Sequence, residues 1–166
     1  ISTRKDIQKE FLNSYDKPLS IPSARLLCAN TPSYSKLEEF LSKSFKKEAA
    51  LLFNSGYHAN VGIYSSLVQR NDVVFCEKLN HASIIDGIRL SHADIIPFKH
   101  ADCEDLENKL KKYRNKYKKA IISTEALFSM DGDFCDIKAL ALLKEKYNTL
   151  LIVDEAHSFG VYGGGL

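Results

Sequence analysis

Short apolar runs alternate along this chain with segments whose apolar residues recur at helical spacing. Val73-Val74-Phe75-Cys76, Asp94-Ile95-Ile96-Pro97-Phe98, Ala120-Ile121-Ile122-Ser123-Thr124 and Leu150-Leu151-Ile152-Val153-Asp154 have strand length and lack clean apolar/polar alternation. Pro97 has no N–H for a ladder, which puts its strand at an end or an edge. Between the runs, Ser83 to Leu90 (with Ile84, Ile85 and Ile88 apolar), Asp102 to Tyr113 and Ile137 to Tyr147 read as helices. The Asp102–Tyr113 segment opens acidic and closes basic, as the helix dipole favours. Upstream, Ser35-Lys36-Leu37-Glu38 has the letters of a capping box, with Leu37, Phe40, Leu41 and Phe45 following at helical spacing. Ala49 to Phe53 reads as a buried strand or a helix end. Another helix opens after Asn54-Ser55-Gly56, with Val61, Tyr64, Leu67 and Val68 on one face. Non-alternating strands separated by helices predict α/β architecture: a doubly wound, mostly parallel sheet with helices on both faces.

Composition narrows the class. The 166 residues have room for one domain or part of a larger one. A content of 45% hydrophobic and 27% charged residues excludes collagen-like, low-complexity and largely disordered chains. No uncharged apolar run approaches the roughly 18 residues that cross a bilayer, so no membrane partner is expected. Lys plus Arg is 23 against 21 for Asp plus Glu, and a net charge of +2 gives no mandate for nucleic acid. The basic run Lys109 to Lys119, with Tyr113 and Tyr117 interleaved, reads as a solvated helix end. Cys28, Cys76, Cys103 and Cys135 form no Cys-x-x-Cys pair, which argues against zinc, and no metal site is expected. Ile1-Ser2-Thr3-Arg4-Lys5-Asp6 lacks the apolar core of a secretory leader, so reduced thiols and a cytoplasmic location are expected. The chain starts without Met and stops at Gly163-Gly164-Gly165-Leu166 just after its strongest motif; it reads as part of a longer protein.

In an open α/β sheet ligands bind beyond the carboxyl ends of the strands. The polar residues there are Asn54-Ser55-Gly56-Tyr57, Asn80-His81, Glu125 and Ser129, and Asp154-Glu155-Ala156-His157. Asp154 closes the most apolar strand. Asp-Glu-Ala-His matches the letters of a helicase ATPase motif, but that chemistry needs a Gly-x-x-x-x-Gly-Lys-Ser/Thr loop upstream, and the chain has none. A second reading uses the same residues otherwise. A strand-end carboxylate can hold the protonated nitrogen of a pyridine ring and turn the ring into an electron sink, as pyridoxal phosphate chemistry requires. His157 would then donate to the ring's phenolic oxygen and His81 lie flat on the ring. Ser55-Gly56-Tyr57 would offer backbone N–H groups and helix dipole to a phosphate. Each signal alone has a bland counterpart, a helix cap or a satisfied core histidine; four on successive strand ends are harder to dismiss.

Four segments in order resemble the α-oxoamine synthases, a family of fold-type I pyridoxal phosphate enzymes. They are Ala50-Leu51-Leu52-Phe53-Asn54-Ser55-Gly56-Tyr57-His58-Ala59-Asn60-Val61-Gly62, Leu79-Asn80-His81-Ala82-Ser83-Ile84-Ile85-Asp86-Gly87, Thr124-Glu125-Ala126-Leu127-Phe128-Ser129-Met130-Asp131-Gly132-Asp133 and Val153-Asp154-Glu155-Ala156-His157-Ser158-Phe159-Gly160. The resemblance implies that residues 1–166 are part of the cofactor-binding large domain, and that pyridoxal 5′-phosphate is the cofactor. Gly56 and Tyr57 would contact its phosphate. His81 would stack on the ring and help position the substrate carboxylate. Ser129 and His157 would hydrogen-bond the cofactor, Asp154 would pair with the ring nitrogen, and Glu125 would support them from behind. Within the family the motifs are most similar to the branch that condenses L-alanine with a pimeloyl thioester in biotin synthesis. The branch that joins glycine to an acetyl group shares the His81 segment but usually carries Cys-Phe-Asp-Ala-Asn and Asp-Asp-Ser-His at the other two sites. The partners implied are L-alanine, an acyl thioester and a second copy of the chain in a homodimer with a shared active site. Two departures stand. The family's Schiff-base lysine lies past Asp154-Glu155-Ala156-His157, and neither Lys138 nor Lys144 sits in the matching context. The family's Gly-rich stretch is Ser20-Ile21-Pro22-Ser23-Ala24-Arg25 here. By the resemblance these 166 residues alone are not expected to be active, and a non-catalytic dimerisation remnant is the alternative of another class.

Overall fold

The computed structural model describes residues 3–14 and 21–163. The chain divides into two compact units, Ile1–Leu51 and Leu52–Leu166.

The first unit holds α1 (Lys5–Ser14), a π-helical turn over Arg25–Ala29 and α2 (Pro32–Ser44). Ser35 is not a helix cap. Helix α2 begins three residues earlier, with Thr31 at the N-cap and Pro32 at the first helical position. Proline's fixed φ and missing N–H suit that position and override the capping-box letters. Glu38 serves a different partner. Its two carboxylate oxygens accept from Arg25 Nη1 and Nη2 at 2.7 and 2.9 Å. Arg25 also donates to Asn30 Oδ1 at 3.0 Å and lies 4.4 Å over the Tyr34 ring. Of the Ser20–Arg25 stretch, Ser20 lies outside the described residues.

Ala49 to Phe53 forms neither a strand nor a helix end. Leu51 is 66% exposed. Phe53 packs instead over Gly62, where the missing Cβ makes room for the ring.

The second unit is a four-stranded sheet. Its elements run α3 (Gly56–Leu67), β1 (Val73–Glu77), α4 (Ala82–Ser91), β2 (Asp94–Phe98), α5 (Cys103–Tyr113), a short 3₁₀ turn at Arg114–Lys116, β3 (Ala120–Glu125), α6 (Ile137–Lys146) and β4 (Leu150–Asp154). The strand order is β2-β1-β3-β4, and every pairing is parallel. Strand β2 therefore lies at an edge, where Pro97 removes no ladder bond that a central strand would need. The connection β1–α4–β2 moves one way across the sheet, and the next two connections move back the other way. Right-handed crossovers then force α4 onto one face and α5 and α6 onto the other.

Two apolar clusters follow from this. On one face Val73, Phe75, Phe98, Ala120 and Ile122 pack with Leu106 and Leu110 of α5 and Leu140 of α6. On the other Val74, Cys76 and Ile121 pack with Tyr64, Val68, Ile84 and Ile88. All residues of β1 and β3 are buried, which is why those runs do not alternate. The β4 run is as apolar in sequence, but its residues are only half-buried and Leu150 is 46% exposed; among the described residues it pairs with β3 alone.

Helix α3 turns Asn60 and Tyr64 inward, with Val68 buried one turn on, while Leu67 is 40% exposed. The buried stripe thus runs one position off the expected face, with a polar residue at its start. Helices α3 and α4 cross closely at Gly87: a Cβ there would meet Asn60 O at 2.9 Å, Val61 Cα at 3.0 Å and Tyr64 Cβ at 3.1 Å. Among the described residues no helix is long and apolar enough to cross a membrane.

Candidate active site

The sheet reverses its winding between β1 and β3, and a crevice opens beyond the carboxyl ends of strands at such a point. Four of the expected residues meet there. Glu125 and Asp154 are register partners at the ends of β3 and β4. His81 is the N-cap of α4, and Tyr57 lies in the first turn of α3.

The Asp154 carboxylate is half-buried. Oδ1 accepts the Ala156 N–H at 3.0 Å, and Oδ2 accepts from Asn60 Nδ2 at 2.8 Å. Both donors are neutral, and among the described residues no ion pair neutralises Asp154. Its charge is held in place and left available, an arrangement that suits a cationic ligand atom.

His81 is fixed from two sides. Its backbone N–H donates to Glu125 Oε1 at 2.6 Å. Its ring Nδ1 accepts the Ser83 N–H at 3.2 Å and lies 2.7 Å from Ser83 Oγ. A nitrogen that accepts carries no proton, so the neutral ring keeps its hydrogen on Nε2. The Tyr57 ring meets the His81 ring edge-on, with centroids 6.3 Å apart, and its hydroxyl donates to Asp86. Burial pushes the Glu125 carboxyl up from its ordinary range; the His81 N–H opposes this, and the nearby Asp154 charge adds to it.

The loop carrying His81 is pinned to the sheet. Asn80 Nδ2 lies 2.9 Å from Ser123 O and 3.1 Å from Ser123 Oγ. That hydroxyl also meets Tyr64 Oη at 2.5 Å, and burial raises the Tyr64 phenol well above its ordinary value. At the start of α3, Ser55 caps by accepting the His58 N–H at 3.2 Å. The first-turn N–H groups of Gly56 and Tyr57 have no intrahelical acceptor, and a Cβ on Gly56 would meet nothing within 4 Å. The helix start is thus open to an anion.

Ser129 and His157 are exposed, on the loops after β3 and β4. Among the described residues no hydrogen bond joins them to the Tyr57–His81–Asp154 group, although His157 is near enough to bias the Glu125 carboxyl. Two residues that carry the site's geometry, Asn60 and Ser83, were not singled out from the sequence. The available signal was a polar residue one helical turn before Tyr64 on a packed face.

Residues 12–165 match the family described as aminotransferase class I and II. The chain belongs to that family. Over 141 residues it is 50% identical to 8-amino-7-oxononanoate synthase of Chlorobaculum parvum (strain DSM 263 / NCIMB 8327), covering 85% of this chain and 36% of that protein. The structure of 8-amino-7-oxononanoate synthase from Francisella tularensis matches with a TM-score of 0.77 and 35% identity, over 98% of this chain and 44% of that one. A serine palmitoyltransferase from S. paucimobilis with bound PLP and myriocin matches with a TM-score of 0.87 and 29% identity, over 98% of this chain and 40% of that one. The matches are α-oxoamine synthases, of fold type I, and the chain spans less than half the length of these relatives.

The family and its PLP-bearing relative identify pyridoxal phosphate as the cofactor. The donor set fits that group. A half-buried carboxylate paired only with neutral N–H donors matches a protonated ring nitrogen. An uncluttered helix start matches a phosphate.

Proposed function

We propose that this chain is the cofactor-binding part of an enzyme that condenses L-alanine with a pimeloyl thioester, on CoA or acyl carrier protein, to give 8-amino-7-oxononanoate, CO2 and the free thiol in biotin synthesis. The observation that carries the reading is the Asp154 carboxylate, half-buried, unpaired by any cation among the described residues and fixed 2.8 Å from Asn60 beside the His81-bearing loop. The names of the sequence relatives support the choice of reaction within the family.

Pyridoxal phosphate supplies an electron sink that makes the amino acid's α-carbon nucleophilic. The residues of this chain hold and bias it. Asp154 would keep a proton on the ring nitrogen by its charge. Gly56 and Tyr57 would present backbone N–H groups to the phosphate. His81 would lie against the ring, with its Nε2–H toward the substrate carboxylate. Ser129 and His157 would hydrogen-bond the ring's periphery, His157 at the phenolic oxygen, while Glu125 holds the backbone at His81. In the net reaction the alanine α-C–H bond breaks and a C–C bond forms from that carbon to the thioester carbonyl; the C–S bond breaks and the sulfur leaves as thiol with a proton; the carboxylate departs as CO2 and a proton takes its place on the α-carbon, so one proton is consumed overall. The family's Schiff-base lysine would lie past Asp154-Glu155-Ala156-His157, in the longer protein. A cytoplasmic homodimer is the location and assembly that accompany this reading.

The test uses the full-length protein with pyridoxal phosphate. Thiol release from pimeloyl-CoA is followed with L-alanine, glycine and L-serine in turn, and light scattering gives the subunit number. Release that depends on L-alanine supports the reading. Preference for glycine with acetyl-CoA or serine with palmitoyl-CoA moves the protein to another branch, and the absence of thiol release with all three overturns the activity.

A further inference from the structure

A chain of hydrogen bonds ties the two sides of the candidate site together through Asn60, which the reading above places against Asp154 but not against the cofactor. Asn60 Nδ2 carries two protons. One goes to Asp154 Oδ2 at 2.8 Å and the other to Ser83 Oγ at 3.0 Å. The orientation of the amide is set by chemistry, because a carboxylate only accepts and the group facing it must be the NH2. The Ser83 hydroxyl accepts from Asn60, and because His81 Nδ1 already accepts the Ser83 N–H, the hydroxyl's own proton points to Nδ1, 2.7 Å away. Asn60 and Ser83 are both buried. A buried polar relay of this kind is rigid when every link is satisfied. Its ends are the carboxylate and the imidazole assigned to the ring nitrogen and the ring face, and its middle lies where α3 crosses α4 against Gly87.

We propose that Asn60 is a positioning residue that sets Asp154 and His81 relative to one another, one amide proton orienting the carboxylate and the other holding the Ser83 hydroxyl that meets His81 Nδ1. The proposal rests on the pyridoxal phosphate site described above. One residue thereby couples the charge at the ring nitrogen to the ring that stacks on the cofactor. Removing it loosens both arms, whereas removing the Ser83 hydroxyl loosens only the histidine arm.

The experiment uses the full-length protein and the variants Asn60→Leu, Asn60→Asp, Ser83→Ala and the double variant Asn60→Leu/Ser83→Ala. Two quantities are read: the dissociation constant for pyridoxal phosphate, and the induced circular dichroism of the bound cofactor's absorption band, which reports how the ring is held. Thermal unfolding identifies any variant that does not fold. Asn60→Leu is expected to weaken cofactor binding about tenfold and to change the induced band. Asn60→Asp, which sets a second carboxylate against Asp154, is expected to weaken it further. Ser83→Ala is expected to weaken binding a few-fold and to have a smaller effect in the Asn60→Leu background than in the wild type. Should Asn60→Leu not fold, Ser83→Ala and Asn60→Asp carry the test. Wild-type affinity and an unchanged induced band in the folded variants, or effects that multiply independently in the double variant, overturn the proposal. Failure of the wild-type protein to bind pyridoxal phosphate overturns the site itself. Normal cofactor binding with no alanine-dependent condensation overturns only the substrate assignment and leaves the role of Asn60 standing.

Discussion

At the scale of single residues, the site depends on where a few polar atoms find partners. Asp154 keeps its charge available because both of its partners are neutral N–H groups. Asp154→Asn keeps the side-chain shape but removes the negative charge that a protonated ring nitrogen needs. In the full-length enzyme it is expected to lower turnover at saturating pyridoxal phosphate by about a hundredfold or more, the scale seen when one preorganised electrostatic partner is removed. Thermal unfolding should fall only modestly, because the amide keeps one acceptor oxygen for the Ala156 N–H and loses only the acceptor that faced Asn60 Nδ2. A variant with turnover within a few-fold of wild type would remove Asp154 from the chemistry. The sequence marked Asp154 because it ends an apolar run and His81 because it lies a few residues beyond one. It did not mark Asn60 or Ser83, because a hydrogen bond spanning 94 positions, such as Asn60 to Asp154, has no local signature.

At the scale of elements, the α3–α4 crossing brings Asn60 to the strand ends. The absence of a Cβ at Gly87 allows it. Gly87→Ala would ordinarily raise helix stability by about 1 kcal/mol. Here the added Cβ lies 2.9 Å from Asn60 O and 3.0 Å from Val61 Cα, and backbone must move. Overpacking of this kind costs about 1–3 kcal/mol, so a net loss of stability is expected, together with weaker cofactor binding as Asn60 shifts. Denaturant unfolding and a cofactor titration measure the two effects; a stabilised variant with unchanged binding would show that the crossing has slack. The capping-box letters at Ser35 illustrate the limit of reading at this scale. They were outcompeted by Pro32 three residues upstream and by the Arg25–Glu38 pair.

At the scale of the whole molecule, the second unit is a sheet with two separate apolar faces. Adjacent residues of β3 feed different ones: Ile121 lies with Tyr64 and Ile84, and Ile122 with Phe75 and Leu106. Ile121→Val and Ile122→Val should each cost about 0.5–1.5 kcal/mol. Because they lie in separate apolar clusters on opposite faces, the double variant should equal their sum to within about 0.5 kcal/mol if the faces act independently. A strongly non-additive pair in denaturant unfolding would show that the two faces act as one core.

A polar clamp joins three connections of the sheet. His100 Nδ1 lies 2.7 Å from the buried Glu77 Oε1 and Nε2 2.5 Å from Asp133 Oδ2, while Glu77 also accepts from the Ala101 N–H at 2.9 Å and from the Thr124 hydroxyl at 2.5 Å. Burial pulls the imidazole down, but hydrogen bonds to Asp133 and Glu77 raise it on balance. The Asp133 carboxyl is lowered by His100. A raised histidine contributes stability that is fully present below about pH 6.5 and is lost as pH climbs through its folded value. A lowered carboxyl contributes stability present above about pH 4 and lost as pH falls through its folded value. The clamp should therefore hold best between about pH 4 and 6.5. Thermal unfolding of wild type should fall relative to His100→Gln as pH rises above that window, and parallel profiles would show that the clamp carries no linkage.

What the sequence by itself determined was the set of elements and the chemistry at their ends. Unalternating runs such as Val73–Cys76 specify buried parallel strands, and polar residues just after them specify a ligand site, because burial on both faces and strand-end exposure leave marks on consecutive positions. Only the tertiary structure decided that, among the described residues, the equally apolar Leu150–Val153 run is half-exposed and Ala49–Phe53 is not a strand, and that Asn60 rather than Leu67 faces inward. Strand order and helix rotation are settled by contacts between residues far apart in the chain, and such contacts impose no period on the local sequence.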